Sequence, residues 1–186
     1  MAREANAVML VSGGIDSYAC GRFLLQHGFA VTGLFVDYCQ QAHECEGVSV
    51  RSVCAALKIP LRVVRLIYGE AFAAGEILGR NWFLIATALL TSKKRLSGIG
   101  FGLHAGSPYY DCSDAFFDRV DTLVTEHTGG RTALLAPFRS RTKQQVYSYA
   151  VSEQLDLDIT YSCEQRGPVP CGSCLSCLDR KLLLAR

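Results

Sequence analysis

Apolar and polar positions alternate between two periods along most of the 186 residues. Short apolar runs read as strands at Ala7–Val11, Ala30–Val36, Leu61–Leu66, Ser97–Leu103 and Thr132–Leu135. Between them lie stretches with helical spacing, from Tyr18 to Leu25, Gly47 to Leu57, Asn81 to Arg95, about Ser113 to His127, and about Thr142 to Glu153. The second helix stops before Pro60, whose ring disfavours helical geometry in the preceding residue. The third is apolar almost all round until Lys93, Lys94 and Arg95, so it reads as a buried helix with cations at its C-terminus. Gly129-Gly130 marks a turn. Strands alternating with helices predict an α/β fold, a doubly wound and mostly parallel sheet of about five strands, with ligands at the carboxyl ends where strand order reverses.

Composition narrows the class. A chain of 186 residues, 49% hydrophobic and 19% charged, fills one α/β core and is too short for two ordinary ones, so residues 1–186 read as a single domain. No apolar run reaches membrane-spanning length, and Met1 to Asn6 lacks the apolar region of a secretory signal, which points to the cytoplasm. A formal charge of +2 without long basic runs argues against a nucleic-acid surface and for a small-molecule partner. Nine cysteines, an odd number, read as metal ligands and core residues rather than as disulfides.

The segment Ser12-Gly13-Gly14-Ile15-Asp16-Ser17 joins the first strand to the first helix. Two glycines permit positive φ and close approach to an anion, and the hydroxyls of Ser12 and Ser17 and the carboxylate of Asp16 lie at a helix N-terminus whose free N–H groups favour negative charge. This is not a Walker loop, because no Gly-Lys-Ser/Thr follows. The plainer alternative is a Gly-Gly turn with ordinary N-caps. The change of character after Tyr161 introduces Cys163, Cys171, Cys174 and Cys177, spaced C-x7-C-x2-C-x2-C among Gly and Pro turns. Four thiolates at those intervals match one tetrahedral ion, and a closed four-ligand site makes structural Zn²⁺ the natural reading for residues 161–180. An iron–sulfur cluster is the chemical alternative.

The loop resembles the pyrophosphate loop of the ATP pyrophosphatase superfamily, and with the cysteine spacing it resembles 7-cyano-7-deazaguanine synthases, the QueC family. Val36-Asp37-Tyr38-Cys39-Gln40 is similar to that family's F-D-Y-G-Q, Gly79-Arg80-Asn81 to its P-G-R-N, and Ser107-Pro108-Tyr109-Tyr110-Asp111-Cys112 to its S-G-Y-P-D-C. Ala136-Pro137-Phe138 with Thr142-Lys143 is similar to P-L-x-x-x-x-K. The resemblance implies ATP with Mg²⁺ as co-substrate, and binding of ATP and the substrate by Ser12 to Ser17, Asp37, Tyr38, Gln40, Arg80, Asn81, Ser107, Tyr109, Asp111 and Lys143. Of these, Ser12, Asp16, Ser17 and Lys143 would act in catalysis. Asp37 is placed for an adenosine contact or caps a loop, Asn81 is otherwise an N-cap, and Asp111 holds Mg²⁺ or substrate or caps the following helix. The implied reaction adenylates 7-carboxy-7-deazaguanine and passes it to ammonia, giving an amide and then a nitrile.

The chain departs from the family pattern at Cys39 for glycine, Gly102 for asparagine, Ala105 for aspartate, Ser113 for arginine and Ala115 for glutamate, and a segment is missing between the third strand and the buried helix. Two further enzymatic readings follow. One is a divergent ligase joining the deazaguanine acid to another amine, on a protein or a small molecule. The other is a tRNA-thiolating enzyme of the same superfamily. The resemblance also makes a homodimer a candidate assembly.

Overall fold

The computed structural model describes residues 5–67, 72–73, 75–92 and 96–185. Its sheet holds five parallel strands, β1 (Ala5–Leu10), β2 (Phe29–Asp37), β3 (Leu61–Arg65), β4 (Gly98–Gly100) and β5 (Ala133–Leu135), in the order β3-β2-β1-β4-β5. Helices α1 (Ile15–Gln26), α2 (His43–Ala56), α3 (Arg80–Thr91), α4 (Asp114–Thr128), α5 (Lys143–Ser152) and α6 (Leu175–Leu184), with short 3-10 turns at Tyr110–Cys112 and Leu157–Ile159, complete the element order. The chain runs outward from β1 to β3, crosses back through α3, and resumes on the other side of β1. The switch of direction therefore lies between the carboxyl ends of β1 and β4, the place where open α/β sheets receive ligands.

Period-two alternation in β1 divides the core. Met9 and Val11 face one cluster with Tyr18, Cys20 and Leu24 of α1, Val50 and Val53 of α2, and Val146 of α5. Val8 and Leu10 face the other with Ile85 of α3, and Phe117, Val120 and Val124 of α4. Both sheet faces are thus covered, which suits the near-continuous apolar runs of its strands.

Several boundaries differ from the sequence reading. Helix α2 begins at His43, four residues before the apolar spacing, with Glu44 and Glu46 in its first turn, where acidic groups complement the dipole. Strand β4 stops at Gly100, although Phe101 N still donates to Leu135 O at 2.9 Å. Helix α3 is not buried all round, since Leu90 is 88% exposed. The cationic end expected for it, Lys93 to Arg95, lies outside the described residues. Helix α6 had no counterpart in the sequence reading. Among the described residues, no helix is long and apolar enough to cross a membrane.

Candidate active site

The loop after β1 owes its shape to one glycine. Gly13 adopts φ +81°, and a Cβ there would lie 2.8 Å from Ser49 Cβ. Gly14, at φ −83° and ψ 166°, has a conformation open to any residue, and its Cβ would meet Ser12 Oγ only at 3.6 Å. The expectation of positive φ therefore holds for Gly13 and not for Gly14, whose lack of a side chain leaves the approach to the helix end clear. The Gly13 carbonyl accepts from Tyr161 N at 3.0 Å and lies 2.8 Å from the Ser49 hydroxyl, so α2 and the C-terminal segment hold the turn from outside. Within it, Ser17 Oγ donates to Gly14 O at 2.9 Å. Helix α1 has no side-chain cap, which leaves first-turn N–H groups available to an anion.

A charged pair completes this end. Lys143, the first residue of α5, follows the N-cap Thr142, whose hydroxyl accepts from Gln145 N in a reciprocal capping box. Its ammonium would be disfavoured at the positive end of a helix by a few tenths of a kcal/mol. The contact of Lys143 Nζ with Asp16 Oδ2 offsets that. The other oxygen, Asp16 Oδ1, is buried and has no hydrogen-bond partner among the described residues. A buried carboxylate oxygen is normally satisfied by a donor, a water or a cation, so Asp16 fits a divalent ion or its water. Gly102 closes the opposite side. A Cβ there would lie 2.9 Å from Ser17 N and 3.0 Å from the Asp16 carbonyl carbon, so the strand-end backbone packs directly on the first turn of α1.

These groups open into a cleft of about 380 Å³ at the switch point. Of the residues singled out from sequence, Ser12, Gly14, Ile15, Asp16, Ser17 and Lys143 line its loop end, and Tyr38, Gln40, Arg80, Asn81, Ser107 and Tyr109 line the remainder. Gly13 is turned away under Ser49. Asp37 is outside the cleft lining, with its carboxylate 3.4 Å from His43 Nδ1, 3.7 Å from Arg65 Nε and 3.2 Å from Cys39 N. Asp111 is also outside it. Its Oδ2 accepts from Asn81 N at 3.2 Å while its carbonyl accepts from Asn81 Nδ2 at 3.0 Å. Asp111 and Asn81 thus tie the start of α3 to the 107–112 segment. The N-cap of α3 is Gly79, not Asn81, and the helix after Asp111 is capped by Ser113, whose Oγ accepts from Phe116 N.

The cleft also contains residues that the sequence reading passed over. Glu46 in the first turn of α2 accepts from Gln40 Nε2 at 2.7 Å, and burial pushes its carboxyl above the ordinary range. Burial likewise pushes the Tyr38 phenol up to about 12, against the opposing charge of Arg80. His104 lines the cleft after Gly102, and Glu164, Asp179 and Arg180 line its C-terminal wall. The acidic first turn of α2 was the available signal for Glu46. The wall residues depend on α6.

The four cysteines meet as their spacing requires. The sulfurs of Cys163, Cys171, Cys174 and Cys177 lie within 4.8 Å of one another. Tetrahedral Zn–S bonds of about 2.3 Å place sulfurs about 3.8 Å apart, so the set fits a closed four-thiolate centre. Backbone N–H groups point at the sulfurs, with Cys171 N and Gln165 N 3.3 and 3.4 Å from Cys163 Sγ, and Cys174 N 3.3 Å from Cys171 Sγ. Cys174 is the N-cap of α6, and Cys177 lies in its first turn. From that helix, Arg180 donates to Thr160 Oγ1 at 2.8 Å and Leu157 O at 3.0 Å. The cysteine centre therefore braces a wall of the cleft.

An uncapped helix start with an adjacent carboxylate–ammonium pair, set at the switch point of a parallel sheet, defines an α/β protein with the geometry of a phosphate-loop site. The chain belongs to the QueC family: the family profile described as "Queuosine biosynthesis protein QueC" matches residues 6–78 and 70–185. Curated relatives include the 7-cyano-7-deazaguanine synthase of Campylobacter jejuni (strain RM1221), 26% identical over 203 residues that cover 94% of this chain and 91% of the relative. The 7-cyano-7-deazaguanine synthase 1 of Desulfitobacterium hafniense (strain Y51) is 26% identical over 197 residues, covering 94% and 89%. Both alignments are longer than this chain, so the relatives carry residues without a counterpart here. Among solved structures, the NH3-dependent NAD synthetase of Campylobacter jejuni superposes loosely, with a TM-score of 0.43 and 11% identity over 86% of this chain and 68% of that one.

Proposed function

We propose that this protein is an ATP-dependent synthase that adenylates 7-carboxy-7-deazaguanine and transfers it to ammonia, giving the amide and then 7-cyano-7-deazaguanine. The observation that carries the reading is the uncapped start of α1 beside Asp16, whose Oδ1 has no partner among the described residues. The first-turn N–H groups with Ser12 and Ser17 would hold the polyphosphate, and Lys143 and Arg80 would supply positive charge toward it. Asp16 would hold Mg²⁺, which neutralises charge on the departing pyrophosphate. Tyr38, Gln40, Ser107 and Tyr109 line the part of the cleft left for the acid. The substrate carboxylate attacks the α-phosphorus, the bond to the β-phosphate breaks, and pyrophosphate leaves. Ammonia then attacks the acyl carbon and displaces AMP. A second adenylation at the amide oxygen, followed by loss of AMP, gives the nitrile. The protein's part is positioning and charge stabilisation. The cysteine centre, read as structural Zn²⁺, stands outside the chemistry, and the site of action is the cytoplasm. Asp16→Asn and Ser12→Ala should abolish acid-dependent pyrophosphate release without altering the circular dichroism spectrum. Near-normal release by both would reduce the loop to a turn.

Gly102 and Ala105 favour a second reading. The Gly102 position has no room for a side chain. Ala105 pairs through its backbone with Thr142 and presents no polar group. Fewer groups to hold the amide for its second activation suit a ligase that stops at an amide with another amine, on a protein or a small molecule. Ammonium alone yielding the nitrile efficiently would eliminate that reading.

A further inference from the structure

We propose that His104 is the base that removes the proton from the incoming amine, a residue role that rests on the adenylating reading above. Its Nδ1 lies 2.8 Å from the Ala105 carbonyl oxygen. A carbonyl only accepts, so Nδ1 carries the hydrogen and the neutral ring keeps its lone pair on Nε2. That nitrogen has no hydrogen-bond partner among the described residues.

The backbone on either side of His104 is fixed to the reacting end of the cleft. Two residues earlier, Gly102 packs against the first turn of α1 at Asp16 and Ser17. One residue later, Ala105 N donates to Arg141 O at 2.8 Å and pairs with Thr142, next to Lys143. His104 thus lines the cleft on the short span between the anion loop and the ammonium. Of the other carboxylates there, Asp16 is paired through Oδ2 with Lys143 and would give Oδ1 to Mg²⁺, Glu46 is engaged with Gln40, and Glu164 with the Ser176 hydroxyl at 2.7 Å. Asp179 is the rival, and it sits on α6 in the cysteine-braced wall.

In the step, the amine nitrogen forms a bond to the acyl carbon and becomes an ammonium. Its proton passes to His104 Nε2 and then to solvent. The carbon–oxygen bond to AMP breaks with its electron pair retained on the AMP phosphate.

The two half-reactions separate this role from a structural one. His104→Asn retains an N–H for the Ala105 carbonyl but removes the base. With ATP, Mg²⁺ and 7-carboxy-7-deazaguanine, its acid-dependent exchange of labelled pyrophosphate into ATP should stay within about threefold of wild type, whereas ammonia-dependent product should fall by roughly 10²–10⁴-fold, the usual contribution of a positioned base. Added imidazole should restore part of the transfer in His104→Ala. An equal fall in both half-reactions, undiminished transfer, no rescue by imidazole, or the same selective loss in Asp179→Asn in place of His104→Asn would overturn the assignment. Wild-type protein giving no acid-dependent exchange would instead defeat the adenylating reading itself.

Discussion

A methyl group added to either glycine of the anion loop should produce opposite phenotypes. At Gly13, φ is +81°, and the new Cβ would sit 2.8 Å from Ser49 Cβ, 2.9 Å from Ser49 Oγ and 3.2 Å from Glu46 O. Left-handed backbone costs an ordinary residue about 1–2 kcal/mol. Ser49 cannot easily retreat, because its hydroxyl lies 2.8 Å from Gly13 O and 2.6 Å from Ile159 O. Overpacking adds about 1–3 kcal/mol, for a loss of roughly 2–5 kcal/mol. At about 2–4 °C per kcal/mol for a chain of this size, Gly13→Ala should melt roughly 4–20 °C lower. Gly14, at φ −83° with Ser12 Oγ no nearer than 3.6 Å, accepts a methyl without strain, so Gly14→Ala should melt within about 2 °C of wild type. That methyl stands in the anion's path, and pyrophosphate release should fall at least tenfold. Calorimetry and a coupled pyrophosphate assay on the same preparations provide the comparison. Equal losses of melting temperature, or wild-type turnover by Gly14→Ala, would refute the division of labour.

Cys174→Ser should lose the single zinc expected per chain and, with it, both the C-terminal wall and ATP use, because structural zinc contributes on the order of 10 kcal/mol to such motifs. Metal analysis of soluble wild-type protein that returned iron or no metal would contradict this. Cys39 occupies φ +65°, so Cys39→Gly should hold or raise stability by up to about 1 kcal/mol, read as an unchanged or higher melting temperature, and a clear fall would show that its side-chain contacts, the sulfur's with Leu66 O among them, outweigh the relief. Burial raises the Glu46 carboxyl above its unfolded value, so its contribution to stability is complete below the unfolded pKa and is lost as pH rises through the folded one. Melting temperatures should therefore fall less between pH 5 and pH 8 for Glu46→Gln than for wild type, and parallel curves would contradict the stated direction.

The sheet was legible because buried parallel strands are short apolar runs separated by helical spacing, a pattern that survives without long-range information. The cysteine spacing specified its cluster for a similar reason, since four ligands must converge wherever the chain goes. Boundaries were lost where polar residues serve the site. His43 to Glu46 form the first turn of α2 but carry no apolar spacing, which concealed Glu46. Helix α6 was hidden because Cys174 and Cys177 were read as ligands between turns, although Leu175 to Leu184 continues as a helix beyond them. Asp37 and Asp111 show a different limit. A carboxylate at a strand end or loop looks the same in sequence whether or not it lines the cleft, and here Asp37 meets His43 and Arg65 while Asp111 meets the start of α3.

The most direct test of the central claim is mass analysis of reactions containing the purified protein, ATP, Mg²⁺, ammonium and 7-carboxy-7-deazaguanine, run beside an Asp16→Asn control. The account predicts AMP and pyrophosphate formed only when the acid is present, with conversion of the acid to its amide and nitrile, and none of these products from the control. Absence of acid-dependent AMP from the wild-type protein, or equal AMP from the Asp16→Asn control, would contradict it.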